Sequence, residues 1–220
     1  MFITFEGIEG SGKSTQCRLL KTWLEQKGYK VLLTREPGGT DLGKQIRSIL
    51  LDKANQELTG ESELFLYLAD RSLHVSQLIL PALKDGTVVI CDRFTDSTLV
   101  YQGYGRGLDL NLLDSLNQTA TSGIKPDITF LLDLPVETGI SRALNRNSNS
   151  HFENDEGRLE AEEIQFHQKI RTGYLQWANQ HPTRFQILDA NCSASEIAAN
   201  VQAVISERRS ISQGQRLQPI

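Results

Sequence analysis

Long apolar runs, excess positive charge and paired cysteines are all missing from this chain. Its longest apolar stretches, such as residues 64–69 (LFLYLA), fall far short of the roughly 18 residues a membrane span needs. No charged segment leading into an apolar one precedes the first strand-like run, so a secretory leader is not expected. A net charge of −4 with pI near 5.6 argues against a protein that lives on duplex nucleic acid, though a local basic pocket stays open to it. The three cysteines (Cys17, Cys91, Cys192) lie far apart and are odd in number, which excludes a disulfide scaffold and a zinc cluster. They suit a reducing compartment, and the expectation is a cytoplasmic protein with neither membrane nor nucleic-acid partners. With 39% hydrophobic residues over 220 positions, the chain has the means to bury one core.

Strand-like and helical runs alternate from the start. Residues 2–5, 30–34, 87–91, 128–134 and 184–188 read as five strands. Residues 13–27, 41–51, 61–80 and 111–121 read as helices, with Gly28 as a C-cap and a short turn containing Pro81 after the long helix. Pro135 is placed to open a further helix, and Ser193 with Glu196 forms a capping-box pattern before the last one. Five such runs separated by helices predict an α/β domain over residues 1–205, a five-stranded parallel sheet covered on both faces. Two segments break the rhythm. Residues 145–157 are polar and join two helices, which predicts a lid. The basic, Gln-rich tail from 206 to 220 is expected to fray.

The segment Gly7-Ile8-Glu9-Gly10-Ser11-Gly12-Lys13-Ser14 matches G-x-x-x-x-G-K-[ST] between a strand and a helix. Its glycines let backbone N–H groups turn inward around phosphate oxygens, and the helix N-terminus adds partial positive charge. Lys13 then reaches the β- and γ-phosphates and the Ser14 hydroxyl ligates Mg²⁺, with Thr15 next to it. This pattern says nucleotide phosphate without saying which reaction. An N-K-x-D guanine-reading segment is absent, which weighs against a GTPase. Glu9 is unusual in a phosphate cradle and makes sense if it accepts a hydrogen bond elsewhere, such as from a sugar hydroxyl.

Ligands of open α/β sheets bind beyond the carboxyl ends of the strands. After the second strand comes Thr34-Arg35-Glu36-Pro37-Gly38-Gly39, and after the third Cys91-Asp92-Arg93-Phe94, followed by Tyr101-Gln102-Gly103 and Arg106-Gly107. With Phe5-Glu6-Gly7 leading into the loop, these runs resemble the thymidylate kinases in order and spacing over residues 1–205. The resemblance implies ATP-to-dTMP phosphoryl transfer with Mg²⁺ and a homodimer, the helix from Glu61 being an interface element. It implies that Arg93 binds the acceptor phosphate with help from Arg47, and that Asp92 joins Ser14 in the Mg²⁺ shell. Glu36 and Pro37 border the acceptor. Tyr67, where the family commonly carries Phe, would stack on the base while Arg71, one turn on, donates to thymine O4. Ser97, Thr98 and Gln102 would touch base edge or sugar, Tyr101 would wall off C2′, and Glu9 would take the 3′-hydroxyl.

The loop has no arginine, so the lid is expected to supply one. Arg142 would lie near adenine, Arg158 would reach the γ-phosphate, and Arg146 lies between them. Another nucleoside monophosphate kinase, or an ATP-gated switch that performs no chemistry, remains open as an alternative. The four histidines (His74, His151, His167, His181) read as surface or packing residues, since an anionic acceptor oxygen needs no strong base.

Overall fold

The computed structural model describes residues 1–149, 157–160 and 162–215; for 146–149, 157, 160 and 209–215 the description extends to the main chain only. Strands β1 (Phe2–Glu6), β2 (Val31–Arg35), β3 (Val88–Asp92), β4 (Ile128–Asp133) and β5 (Phe185–Asp189) pair in parallel in the order β2-β3-β1-β4-β5. Ile3, Phe5, Val88 and Ile90 point into one core with Leu20, Leu24 and Ile170, whereas Phe2, Val89 and Cys91 point into another with Val75, Ile79 and Phe94. Both faces are thus covered, which is why these strands read as unbroken apolar runs instead of alternating ones.

The helices are α1 (Lys13–Gln26), α2 (Asp41–Leu51), α3 (Gly60–His74), α4 (Leu80–Lys84), α5 (Thr95–Thr98), α6 (Leu110–Thr121), α7 (Val136–Asn149), α8 (Gly157–Glu160), α9 (Ile164–Gln180) and α10 (Ala194–Gln215). Side chains cap several of them. Thr40 accepts from the Gly43 N–H at α2, Thr59 from Ser62 at α3, and Asp109 from Leu112 at α6. Ser193 and Glu196 close the expected box at α10, each side chain taking the other's backbone N–H.

Three segments differ from the sequence reading. The helix from 61 does not stop before Pro81: a π-helical turn, Val75–Ile79, carries α3 directly into α4, with proline in the first turn of α4. The polar stretch from 145 continues α7 as far as Asn149, because neither glycine nor proline interrupts it there, and residues 157–160 form α8. Most of that lid, residues 150–156, lies outside the described residues. The tail is helical to Gln215 rather than frayed from 206, and Arg208 ties it to the carbonyls of Asp127 and Thr183. Residues 216–220 lie outside the described residues.

All five strand ends gather on one edge of the sheet. The glycine loop follows β1, residues 36–40 follow β2, and α5 with the π-helical segment Leu99–Gly105 follows β3. No described helix is long and apolar enough to cross a membrane.

Candidate active site

The glycine loop is pressed against β4 and α7. A Cβ on Gly7 (φ +140°) would sit 2.6 Å from the Leu132 carbonyl oxygen, and one on Gly10 (φ +71°) 2.1 Å from that of Gly139. Only glycine fits either position, so the loop's curvature is fixed by backbone contact. Lys13 is buried, and its Nζ donates to the carbonyls of Gly7 (3.1 Å) and Ile8 (2.8 Å), spanning the cradle. The Ser14 hydroxyl, in the first turn of α1, donates to Asp92 Oδ2 at the end of β3 at 2.5 Å. Thr15 Oγ1 accepts from Arg18 at 3.5 Å.

Beside the loop lies a cleft lined by Glu36, Pro37, Arg47, Tyr67, Arg71, Arg93, Ser97, Thr98, Tyr101 and Gln102, every acceptor residue expected from the resemblance except Glu9. Leu51, Phe94 and Leu159 complete it. Arg93 adopts a left-handed backbone (φ +69°), uncommon outside glycine, and this turns its side chain back toward the loop. Its guanidinium donates to the Gly7 carbonyl (3.1 Å) and to Glu9 Oε1 (3.0 Å), and lies 5.1 Å from the Tyr101 ring centre. Tyr101 donates to the same Glu9 oxygen at 2.5 Å. Burial pushes the Glu9 carboxyl up, but His167, Arg93, Lys13 and Tyr101 outweigh it and hold the group well below the usual carboxylate range. Glu9 is therefore ionised. Among the described residues its Oε2 has no hydrogen-bond partner, and His167 Nδ1 stands 3.4 Å from it.

Arg71 is committed inside the protein. It is 1% exposed, and it donates from Nε to Glu36 Oε2 (2.8 Å), from Nη1 to Thr98 (2.8 Å) and Asn117 (2.7 Å), and from Nη2 to the Phe94 carbonyl (3.1 Å). Glu36 also pairs with His74 Nδ1 at 2.9 Å, while Nε2 of that ring bonds Thr34 at 2.7 Å. Arg47 donates to the Pro37 carbonyl at 3.1 Å. Behind Arg93, Glu6 accepts from the Phe94 N–H (2.8 Å), Ser97 (2.6 Å) and Tyr174 (2.7 Å). Arg93 itself donates to Tyr174 (3.3 Å) and Ser97 (3.4 Å), joining the phosphate side of the cleft to this buried carboxyl. Burial, reinforced by Asp96, raises Glu6 to about 7.

On the other side of the loop, Arg142 donates to the Ala190 carbonyl (3.0 Å) at the end of β5. Arg158 points elsewhere: its described partners are the Leu50 carbonyl (2.9 Å) and Glu63, on α2 and α3, and none belongs to the glycine loop. The Arg146 side chain and His151 lie outside the description. Sequence reasoning passed over Glu63, Asn117 and Tyr174, took Glu6 only as part of the run into the loop, and read His167 as a surface or packing residue, whereas it is buried beside Glu9. Each acts through a partner distant in the chain, and nothing local marks it.

One arginine thus touches both a phosphate cradle and a second cleft walled by Tyr67 and Tyr101, which is what transfer of phosphoryl between two nucleotides demands. On a parallel sheet of this strand order, that arrangement defines a kinase of the P-loop nucleoside monophosphate class. The family model described as thymidylate kinase matches residues 5–201, and the chain belongs to that family. It is 56% identical over 207 residues to the thymidylate kinase of Oleidesulfovibrio alaskensis, covering 94% of this chain and 98% of that protein. It is 53% identical over 207 residues to that of Geotalea daltonii, covering 94% and 97%. Among solved structures, the thymidylate kinase of Ehrlichia chaffeensis superposes with a TM-score of 0.74 at 36% identity, covering 93% of this chain and 98% of that one.

Proposed function

We propose that the chain transfers the γ-phosphoryl group of ATP to dTMP, with the glycine loop holding the donor and the neighbouring cleft the acceptor. The observation that carries this reading is Arg93, whose guanidinium joins the Gly7 carbonyl and Glu9 to the cleft wall. An acceptor phosphate bound there lies beside the donor phosphates. The attacking oxygen is already anionic, so positioning and neutralisation of charge do most of the work and no general base is needed.

In this reading Gly7, Ile8, Glu9, Gly10, Ser11, Gly12 and Thr15 shape the cradle, and Lys13 releases its carbonyl partners for the β- and γ-phosphates. Arg142, beside the Ala190 carbonyl, faces the adenine. Arg93 and Arg47 take the acceptor phosphate, Tyr67 stacks on the base, and Tyr101 closes the space under C2′. Glu9 Oε2, beside His167, receives the 3′-hydroxyl. Glu36, Pro37, Ser97, Thr98 and Gln102 shape the rest of the cleft, and Arg71 is locked in place to present what remains of its edge to the base. Ser14, in the first turn of α1, and Asp92, at the end of β3, offer one hydroxyl and one carboxylate oxygen side by side. That hard, sparse donor set fits Mg²⁺, which fills its remaining positions with water and phosphate oxygens. Bound there, the ion would neutralise charge on the transferring phosphoryl group.

Phe65 (63% exposed) and Leu112 (54%) stand on the outer faces of α3 and α6, with Leu42 and Ile49 exposed on the adjacent α2. Large apolar side chains exposed on three adjoining helices support a homodimer through them. The reading also places the enzyme in the cytoplasm. A coupled ADP-release assay with ATP, Mg²⁺ and a panel of nucleoside monophosphates tests it, with dTMP expected to give the highest kcat/KM. A purine monophosphate turning over better than dTMP would overturn the assignment of the cleft.

A further inference from the structure

Glu63, Tyr67 and Arg71 follow one another at successive turns along a single face of α3. The last two line the acceptor cleft, and Glu63, one turn before Tyr67, has a side chain only 1% exposed. A carboxylate so buried persists only when paired and hydrogen-bonded. Its partners come from both sides of the cleft. Gln102, a cleft residue, donates to Oε1 at 2.6 Å. Arg158 of α8 donates to Oε2, and its Nε caps the Leu50 carbonyl at 2.9 Å. Arg106 lies 3.4 Å from Oε2 and also bonds Glu162 at 2.6 Å, just beyond α8. The two carboxylates and two guanidinium groups balance in charge. The residue after Arg158 is Leu159, which is buried and forms part of the cleft wall.

We propose that Glu63 is a positioning residue that docks α8 onto the acceptor cleft: its pairing with Arg158 seats Leu159 over the acceptor, and its bond to Gln102 makes that seating depend on what the cleft holds. This rests on the reading of the cleft as the dTMP site. Arg158 then acts on the acceptor side, not as a cation for the γ-phosphate. The two roles predict different kinetics. A cation for the transition state is lost as kcat with the dTMP KM little changed, whereas a docking arginine is lost as a higher dTMP KM.

The test uses the full-length enzyme with steady-state kinetics in both substrates, together with hydrogen exchange of peptides spanning 157–170 with and without dTMP. In the unmutated enzyme dTMP alone should protect these peptides. Glu63→Gln should abolish that protection and raise the dTMP KM at least tenfold, with the ATP KM within twofold. Arg158→Met should do the same. Combined with Glu63→Gln it should add less than threefold, since both remove one link. Should Glu63→Gln not fold, Arg158→Met and Leu159→Ala carry the same KM test. An unchanged dTMP KM in these variants, or an Arg158→Met loss confined to kcat, overturns the docking role. Absence of dTMP turnover in the unmutated enzyme would instead sink the reading of the cleft.

Discussion

Replacing Glu6 by glutamine should change how the stability of this protein depends on pH, with a sign and size the structure supplies. The Glu6 carboxyl is fully buried behind Arg93 and is raised from 4.5 to about 7, by burial first and the nearby Asp96 second, against the opposing bonds from Ser97 and Tyr174. Between those two values the folded protein keeps a proton that the unfolded chain has released. Its contribution to stability is therefore full below pH 4.5 and disappears as the pH climbs through 7. At 1.36 kcal/mol per pKa unit, the amount lost is about 3 kcal/mol. Glutamine has no proton to lose and keeps nearly the same shape. Whatever constant offset it introduces through its amide, the Glu6→Gln protein should lose about 3 kcal/mol less than the unmutated one between pH 4.5 and 8. The opposite contribution of Glu9, which is held low, is common to both proteins and cancels in the comparison. Urea unfolding followed by circular dichroism at pH 4.5, 5.5, 6.5, 7.5 and 8 would give both curves. Parallel curves would refute the reasoning, because they would mean that Glu6 titrates identically in the folded and unfolded chains.

Three further outcomes follow from the site. Lys13→Ala should leave the melting temperature nearly unchanged and lower kcat by two or more orders of magnitude, read in the coupled assay; normal turnover would remove the loop lysine from the mechanism. Tyr101→Ala should narrow the preference for dTMP over its ribose counterpart while Tyr101→Phe keeps it, because the ring, not the hydroxyl, closes the space under C2′. Equal kcat/KM for the two sugars in the unmutated enzyme would show that Tyr101 is no such wall. Phe65→Glu places a charge in the apolar face of α2, α3 and α6 and should convert a dimer to a monomer in light scattering; an unchanged mass would put the interface elsewhere.

The glycine loop, the five strands and most helix boundaries were legible because each is a local matter. A phosphate cradle needs glycines and a lysine at fixed spacing in one segment, and a strand buried on both faces needs only its own apolar run. The sheet-end runs T-R-E-P-G-G and C-D-R-F pointed to the cleft in the same way, since a parallel sheet must bring its strand ends to one edge. Folding alone decided which charges meet. Glu6 reaches Tyr174 across 168 positions, Arg158 reaches Glu63 across 95, and Arg71 reaches Glu36 and Asn117 across 35 and 46. With 23 lysines and arginines and 27 aspartates and glutamates, the sequence permits many pairings and ranks none. The choice falls to whichever helix faces and strand ends converge out of water, where an unpaired charge costs far more than at the surface. That is why Arg158, expected over the phosphates from its place in the chain, lies instead on Glu63, and why Arg71, expected to face the base, is bound on nearly every side.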